Sequence, residues 1–350
     1  MSTFSDLFST LPTTMHAEYA LKEVVTIPRL PQSQCIVLPL VRTSIAPMLI
    51  RNNDAELTTD LQMAGMTRIR MIASKTKGVE RRRGAQILRM LGIGGFAAAN
   101  KAFKPKDKPM STIFDLNTVL FGDSAKGTEK AIYPVHAAAL YSDAISVEPV
   151  AHQIDAVFRQ GGVYEDGGTY DAENQGTSSN IFTTYSVKAG TRFVQTLVLT
   201  GNRVTREALD HLLLSIGLAG AYGGATAVTG TNLQTTVAGI YWGALERPIN
   251  APGQILPHLN SDTTTEDIVA TIANLFGQHY PQGIGPSATS EYLDDLVYRL
   301  EHEDAALIRQ YGHGAEQAAQ LFDAWFTGST TKSQHKRRAA SATESAESAE

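Results

Sequence analysis

The sequence predicts a mixed α+β fold, and three features carry this prediction. Residues 34–50 are rich in β-branched side chains and read as a first buried strand, which Pro39 and Pro47 are expected to break. Residues 191–245 have the pattern of a β-α-β unit, in which Thr205 caps the helix. Toward the C-terminus, apolar residues recur at helical spacing, which predicts packing helices.

Composition limits the class of protein. The chain has 350 residues, 43% of them hydrophobic, which is enough for one elaborated domain or two small ones. A single cysteine, Cys35, excludes a disulfide framework and a cysteine-rich zinc site, and favours a reducing compartment. The N-terminal residues lack the basic and apolar regions of a signal peptide, and no 18-residue apolar run occurs. We therefore expect a cytoplasmic protein without a membrane span.

Charge is concentrated in one segment. Between Arg68 and Lys108 there are twelve Lys or Arg residues and only two acidic residues, Glu80 and Asp107. The whole chain has 30 basic and 35 acidic residues, so 18 basic and 33 acidic residues remain elsewhere. A cationic segment of about +10 in an otherwise acidic protein predicts a groove for a polyanion, because phosphates are attracted to that place alone. A solvated run of charges is the alternative.

The elements that follow the first strand can be placed in order. The basic segment begins on a strand end at Ile69, continues as a helix over residues 80–91, and ends in a proline-punctuated basic loop. Short strands and turns are expected over residues 114–149. Residues 159–180 are rich in Gly, Ser, Asn and Asp, which predicts an exposed projecting hairpin.

A glycine- and threonine-rich loop lies between the helix and the second strand of the β-α-β unit. Its glycines permit close backbone approach to a ligand, and its polar side chains offer hydroxyls and an amide: Gly220, Gly223, Gly224, Gly230, Thr226, Thr229, Thr231 and Asn232. We interpret it as a loop that contacts phosphate or ribose. A flexible surface connection explains the composition equally well.

Signals for catalysis are few. The Walker A lysine motif and HExxH are absent, and the glycine loop follows a helix, which is the wrong context for a dinucleotide fingerprint. The nine histidines are scattered. Asp54, Glu56 and Asp60 follow the first strand and could serve a metal-dependent phosphodiesterase, although a solvated acidic loop is the favoured interpretation.

Several long phrases occur in order between about residues 35 and 245. They are RTSIAPMLIRNND, KGVERRRGAQILR, DLNTVLFGDS, YSVKAGTRFVQTLVLTGN and LDHLLLSIGLAGAYGGATAVTGTN. Together they resemble the backbone subunit of the type I-D CRISPR Cascade complex.

The resemblance implies a modified RRM-like (ferredoxin-like) palm with inserted finger and thumb elements. The palm would occupy residues 1–255, with the finger at about 68–110 and the thumb at about 155–190. A helical packing region is expected over residues 256–327. The composition of residues 328–350, which have almost no apolar bulk, predicts a disordered tail.

The resemblance also implies roles for individual residues. Guide phosphates would be gripped by the cations of the basic segment, namely Lys75, Lys77, Arg81, Arg82, Arg83 and Arg89. The glycine-rich loop would contact the guide through Gly223, Gly224, Thr226 and Thr229. In the thumb, Phe182 and Tyr185 are the candidates for a side chain that displaces a guide nucleotide, and core packing is the alternative for both.

The same resemblance implies partners and a function. Copies of the subunit would stack along one crRNA and hold the guide–target duplex in antiviral defence, beside a target DNA strand or single-stranded RNA. The other partners would be the large subunit, the subunits that cap the 5′ end and process the 3′ end of the guide, and small subunits. Some relatives carry a cysteine cluster, whereas this chain has only Cys35, so we expect no structural zinc and no other cofactor.

Three other functions stay open. The same scaffold could cleave a bound single strand, with Asp54 as the weak candidate for a catalytic residue and Mg²⁺ as its cofactor. A nucleotide-binding enzyme would need a closed pocket with a convergent acid or base, which the sequence does not display. A shell protein that binds no nucleic acid would not need the cationic segment.

Overall fold

The computed structural model describes most of the chain. The described residues are 2–15, 20–21, 24–25, 34–50, 57–103, 108–127, 132–160, 170–171, 176–177, 181–200, 203–224 and 230–347. Within these ranges the side chains of residues 20–25, 159–182 and 327–347 are outside the description.

The elements are as follows. The described strands are β1 (Ala20–Leu21), β2 (Val24–Val25), β3 (Cys35–Ser44), β4 (Asp60–Met63), β5 (Met66–Met71), β6 (Asp123–Lys126), β7 (Ile132–Val135), β8 (Ala139–Tyr141), β9 (Ala144–Pro149), β10 (Ile154–Gln160), β11 (Tyr170–Asp171), β12 (Gly176–Thr177), β13 (Ile181–Val187), β14 (Arg192–Thr200), β15 (Leu233–Val237), β16 (Ile240–Gly243) and β17 (Gln282–Ile284). The described helices are α1 (Phe4–Thr10), α2 (Ala73–Met90), α3 (Leu116–Phe121), α4 (Arg206–Gly217), α5 (Pro252–Ile255), α6 (Thr265–His279), α7 (Pro286–Glu301) and α8 (Ala305–Glu347).

One antiparallel sheet organises the molecule. Its strands lie in the order β17-β16-β3-β14-β9-β5-β4, while β15 also pairs with β3 and β8 also pairs with β14. Along the chain the central elements are β3, α2, β8 with β9, β14, α4, and β15 with β16. In the sheet, β15 and β16 pair with β3, β3 pairs with β14, and β14 pairs with β8 and β9. This is the βαββαβ arrangement of the ferredoxin-like fold, and the predicted α+β class is confirmed.

Both faces of the sheet are covered. Alternate side chains of a strand point to opposite faces, so Ile36, Leu38 and Leu40 pack on one side with α2, α3, α4 and α8. Val37 and Val41 pack on the other side, against apolar residues of α5 and α6. The sheet surface on which RNA-recognition motifs stack bases is therefore filled by protein here.

Pro39 lies inside β3, so the predicted break at this residue is wrong. The carbonyl oxygen of Pro39 accepts a hydrogen bond of 2.8 Å from the N–H of Ala238, which lies between β15 and β16. The nitrogen and the carbonyl of one strand residue point to the same side, so the proline nitrogen faces this interruption in the neighbouring strand. The missing N–H therefore removes no ladder hydrogen bond.

The helix α2 starts earlier than the sequence predicts. It begins at Ala73 rather than at Glu80, although Ile72 provides no side-chain cap. The cap comes from a distant residue, because the Asp143 carboxylate accepts a hydrogen bond of 2.8 Å from the N–H of Ala73. Local sequence contains no sign of this contact.

The last helix is longer than expected. The backbone of α8 continues to Glu347, whereas the sequence predicted disorder over residues 328–350. Many residues of this segment are Ala, Glu, Lys and Arg, which favour helices, and extending an existing helix avoids the cost of nucleation.

In the part of the chain that the structure describes, no helix is both long enough and apolar enough to cross a bilayer.

Two glycines of α2 give a matched test of the packing between α2, α3 and α4. A Cβ atom at Gly84 would lie 2.3 Å from Oδ1 of Asn117 and 2.7 Å from Oγ of Ser215, whereas one at Gly78 would meet no atom within 4 Å. We predict that Gly84→Ala destabilises the protein by about 1–3 kcal/mol through overpacking. Gly78→Ala should stabilise it by about 0.5–1 kcal/mol through helix propensity. Urea unfolding of both variants measures this, and equal midpoints would contradict the tight contact.

Candidate nucleic-acid interface

Two predicted functional elements, the thumb and the glycine-rich loop, meet at two consecutive residues, Met48 and Leu49. The N–H of Met48 donates to the carbonyl of Val187 (3.0 Å) and the N–H of Val187 donates to the carbonyl of Met48 (2.7 Å), which attaches the base of the thumb hairpin. The next carbonyl, on Leu49, accepts from the N–H of Gly224 (2.9 Å), which attaches the glycine-rich loop. The chain then leads into residues 51–56. We call the surface around Met48, Leu49 and Gly224 the rim, because it lies beyond the end of β3.

Gly223 permits this close approach. Its φ is +83°, and a Cβ atom would lie 2.4 Å from the carbonyl oxygen of Leu49. Any other residue would be strained by its backbone and would collide with a backbone atom. The loop therefore needs glycine here in order to lie against the protein's own chain.

The base of the loop is closed by Asn232. Its Oδ1 accepts from the N–H of Tyr222 and its Nδ2 donates to the carbonyl of Tyr222, both at 2.8 Å. The fully buried amide is thus used for this closure and is not free for a ligand, so the prediction that Asn232 contacts phosphate or ribose is wrong. Thr226 and Thr229 lie outside the described residues.

A buried ion pair lies beneath the rim. Nη2 of Arg42, on β3, is 2.6 Å from Oε1 of Glu80, on α2, and both side chains are 0% exposed. Glu80 also accepts hydrogen bonds from the hydroxyls of Tyr222 (2.9 Å) and Tyr141 (2.6 Å). Oε1 of Gln195 accepts from Nε of Arg42 at 2.7 Å. This polar network, Arg42–Glu80–Tyr222–Tyr141–Gln195, joins the sheet, α2 and the glycine-rich loop.

The network keeps its two phenols protonated. Burial, and then the charge of Glu80, raise the pKa of Tyr222 and of Tyr141 well above the ordinary value. Both hydroxyls therefore remain donors to the carboxylate across the physiological pH range. From the sequence, Glu80 stands out only as one of two acidic residues within the basic segment.

Several cations of the basic segment serve the fold. Arg68 is buried and donates to the carbonyl of Ser146 at 2.9 Å. Arg81 forms a 2.6 Å ion pair with Asp123. Nζ of Lys77 donates to a backbone carbonyl on β8 at 3.1 Å, and burial, followed by the charge of Arg81, lowers its pKa to about 8.

Other cations lie on the outer face of α2. Lys75, Arg82 and Arg89 are seven residues apart, which places them along one stripe of the helix. Arg82 and Arg89 are exposed, Lys75 is half-buried, and Arg89 also donates to the carbonyl of Gly95 at 2.5 Å. The exposed cations of this stripe can attract phosphates.

Arg83 connects the stripe to the loop. Its Nη2 lies 3.4 Å from the position that a Cβ of Gly220 would occupy, at the start of the glycine-rich loop. Its Nε is buried and has no hydrogen-bond partner among the described residues. The residue as a whole is half-buried, and arginine guanidinium groups donate readily to phosphate oxygens.

The remaining predicted residues belong to the thumb and to the acidic loop after β3. Tyr185 lies on β13 opposite Ala156 of β10 and is half-buried, while the side chain of Phe182 is outside the description. Asp54 lies outside the described residues, and Asp60 starts β4. Among the residues that are described, no group of three or more His, Cys, Asp or Glu is placed to hold a metal ion.

Comparison with known proteins identifies the family. The model of the family described as Csc2 Crispr matches residues 22–251. This chain belongs to the Csc2 CRISPR family. Its fold is similar to the crystal structure of Thermofilum pendens Csc2, with a TM-score of 0.56 and 13% sequence identity over 85% of this chain and 90% of that chain.

Other similar structures belong to assemblies. A chain of a CRISPR RNA-guided surveillance complex matches this Csc2-family protein with a TM-score of 0.44 and 14% identity, over 71% of this chain and 86% of that chain. A chain of a Type IV-B CRISPR complex matches with a TM-score of 0.39 and 18% identity, over 57% and 90%. No curated protein matches the sequence.

The buried ion pair yields a stability prediction. Glu80→Ala should destabilise the protein by about 3–5 kcal/mol, because it leaves the Arg42 guanidinium buried without its counter-ion. Glu316→Ala, which removes an exposed carboxylate from α8, is the control and should change stability by less than about 0.5 kcal/mol. Urea unfolding measures both, and a similar small loss in the two variants would contradict a structural role for the network.

Proposed function

We propose that this protein is the crRNA-binding backbone subunit of a type I-D CRISPR Cascade surveillance complex. In this proposal several copies stack along one guide RNA in the cytoplasm and hold the guide–target duplex. The observation that carries it is the meeting of the glycine-rich loop and the thumb base at the rim, with Arg83 of α2 beside the start of the same loop. Membership of the Csc2 CRISPR family and the likeness to a solved Csc2 structure support it.

The chemistry of the rim suits recognition of the nucleic-acid backbone. Arg83 lies beside the start of the glycine-rich loop, and arginine guanidinium groups bind phosphates without reading base edges, so sequence would be read by base pairing alone. Because α6 covers one face of the sheet and α2 and α4 cover the other, bases cannot stack on the sheet. Guide RNA would therefore follow the rim and the outer face of α2.

Binding by a single copy is expected to be weak. Some cations of the basic segment are used by the fold, so we expect each copy to neutralise only a few phosphates, whereas the affinity of many copies on one strand falls steeply with salt. Linked copies on one strand raise the effective concentration for each other. The proposed partners are crRNA, a target DNA strand or single-stranded RNA, neighbouring copies, and the large, 5′-capping, 3′-processing and small subunits. We do not extend the proposal to strand cleavage, because Asp54 lies outside the described residues.

The first experiment is co-expression of the full chain with a CRISPR array. After purification with nuclease treatment, the RNA that stays bound is sequenced. Protected guide-length RNA that is released by high salt is the expected result, because the contacts are to phosphates. RNA of random sequence and length, or none at all, would contradict the proposal.

Variants of α2 locate the contact. We predict that Arg82→Ala combined with Arg83→Ala lowers RNA affinity at least tenfold and reduces the salt slope by about 0.7 per lost phosphate contact. Arg81 is left intact because its ion pair with Asp123 would confound the result. Arg309→Ala removes an exposed arginine from α8 and is the matched control. A folded double variant that retains RNA as well as this control would exclude α2 from the interface.

A further inference from the structure

In the segment between α2 and β6, large apolar side chains are exposed and small ones are packed against the core, which is the reverse of the usual distribution. Phe96 is 70% exposed and Phe103 is 67% exposed, whereas the small residues Ala97 and Ala102 pack against the core. Burying phenylalanine gains far more free energy than burying alanine, so stability alone would favour the opposite orientation. An exposed pair of aromatic rings in this position points to a binding surface.

The backbone fixes the first of these orientations. Gly95 has a φ of +73°, and a Cβ there would lie 2.1 Å from the carbonyl oxygen of Ala85 on α2. Its N–H donates to the half-buried carboxylate of Asp115 at 2.7 Å. Gly95 therefore lies directly on the helix, and the next residue, Phe96, is directed outward by a constrained backbone.

The backbone around the second ring, Phe103, is fixed by hydrogen bonds to β6. The N–H of Lys126 donates to the carbonyl of Ala102 at 2.9 Å, and Phe103 forms a bridge with Lys126. The N–H of Asn100 donates to Oδ1 of Asp123 at 2.7 Å. Both ends of the segment are thus bonded to neighbouring elements, so the outward rings belong to an ordered surface.

One cation lies over the ring of Phe103, and another lies between the two phenylalanines in sequence. Nζ of Lys126 lies 5.9 Å from the ring centroid of Phe103, and Lys101 is exposed between the two phenylalanines in sequence. Residues 81–103 include no acidic residue. The carboxylate of Asp123 is already used by Arg81. Exposed aromatic rings interleaved with cations are typical of surfaces that bind single-stranded nucleic acid.

We propose that Phe96 and Phe103, with Lys101 and Lys126, form a second nucleic-acid contact, which stacks unpaired bases of a single strand and neutralises its phosphates. The core of a protein–protein interface is depleted in lysine, so this composition favours a nucleic acid over a protein partner. The contact uses none of the rim residues and goes beyond the proposed function. It rests on that function only in one respect, namely that the proposed complex would supply the single strand.

The test measures binding of short fluorescent single strands to the full-length protein with its co-purified RNA. Anisotropy titrations compare oligothymidylate, oligouridylate and an abasic oligomer of equal length. The wild type should prefer the strands that carry bases, because an abasic strand offers phosphates without rings to stack on. Equal affinity for oligothymidylate and oligouridylate would mean that either DNA or RNA supplies the strand, and a preference would identify which.

Variants separate the rings from the charges. Phe96→Ala with Phe103→Ala should weaken binding of the base-carrying strands about fivefold or more per ring, with an unchanged salt slope. Lys101→Ala with Lys126→Ala should weaken binding of all strands and lower the slope. Phe96→Tyr with Phe103→Tyr keeps an aromatic ring at each position and should bind like the wild type. This variant keeps the test valid if the alanine variant is poorly folded. Tyr298→Ala, which removes an exposed ring from α7, is the control and should have no effect.

The outcomes separate this proposal from the previous one. Guide RNA retained by the alanine variant at the wild-type level, together with lost binding of added strands, supports a second contact. Failure of the wild type to carry RNA would refute the proposed function and leave the strand titrations as an independent test. Unchanged affinity in the alanine variant overturns the inference, and loss of self-association alone, seen by sedimentation, would assign the rings to a contact between copies.

Discussion

The buried ion pair between Arg42 and Glu80 is the interaction on which the candidate interface depends. Removing two charges from water is costly, and here the loss is offset by a short ion pair and by hydrogen bonds from Tyr222, Tyr141 and Gln195. The network fixes positions, because the Glu80 carboxylate of α2 is bound both by Arg42 of β3 and by Tyr222, which precedes Gly223 in the loop. Without the Glu80 carboxylate, α2 and the glycine-rich loop would lose the polar contact that joins them.

Coverage of the sheet decides where a nucleic acid can lie. In a four-stranded RNA-recognition motif one face of the sheet is open to bases, whereas here α6 fills that face with apolar side chains. The surfaces left for a strand are the rim and the outer faces of α2 and the segment after it. Backbone recognition along an edge suits a protein whose bound strand must keep its bases free for pairing.

Patterns within a segment predicted much of this, and contacts between distant segments did not follow from them. The β-branched composition of residues 34–50 predicted β3, the β-α-β pattern predicted β14, and charge counting predicted the basic segment. However, Pro39 is tolerated only because the strand beside it is interrupted at Ala238, and α2 starts at Ala73 only because Asp143 caps it. Charge counting also could not show that Arg68 and Arg81 are used by the fold. The outward direction of Phe96 depends on Gly95 lying against α2, which a sequence does not display.

Photo-crosslinking of the full-length protein to guide RNA that carries thiouridine tests the central claim most directly. After irradiation and digestion, mass spectrometry identifies the peptides joined to RNA. Crosslinks that cluster in residues 44–57, in residues 219–232 and on the outer face of α2 are the predicted result. Crosslinks concentrated on α6 or on residues 249–259, which cover the sheet, would contradict binding at the rim.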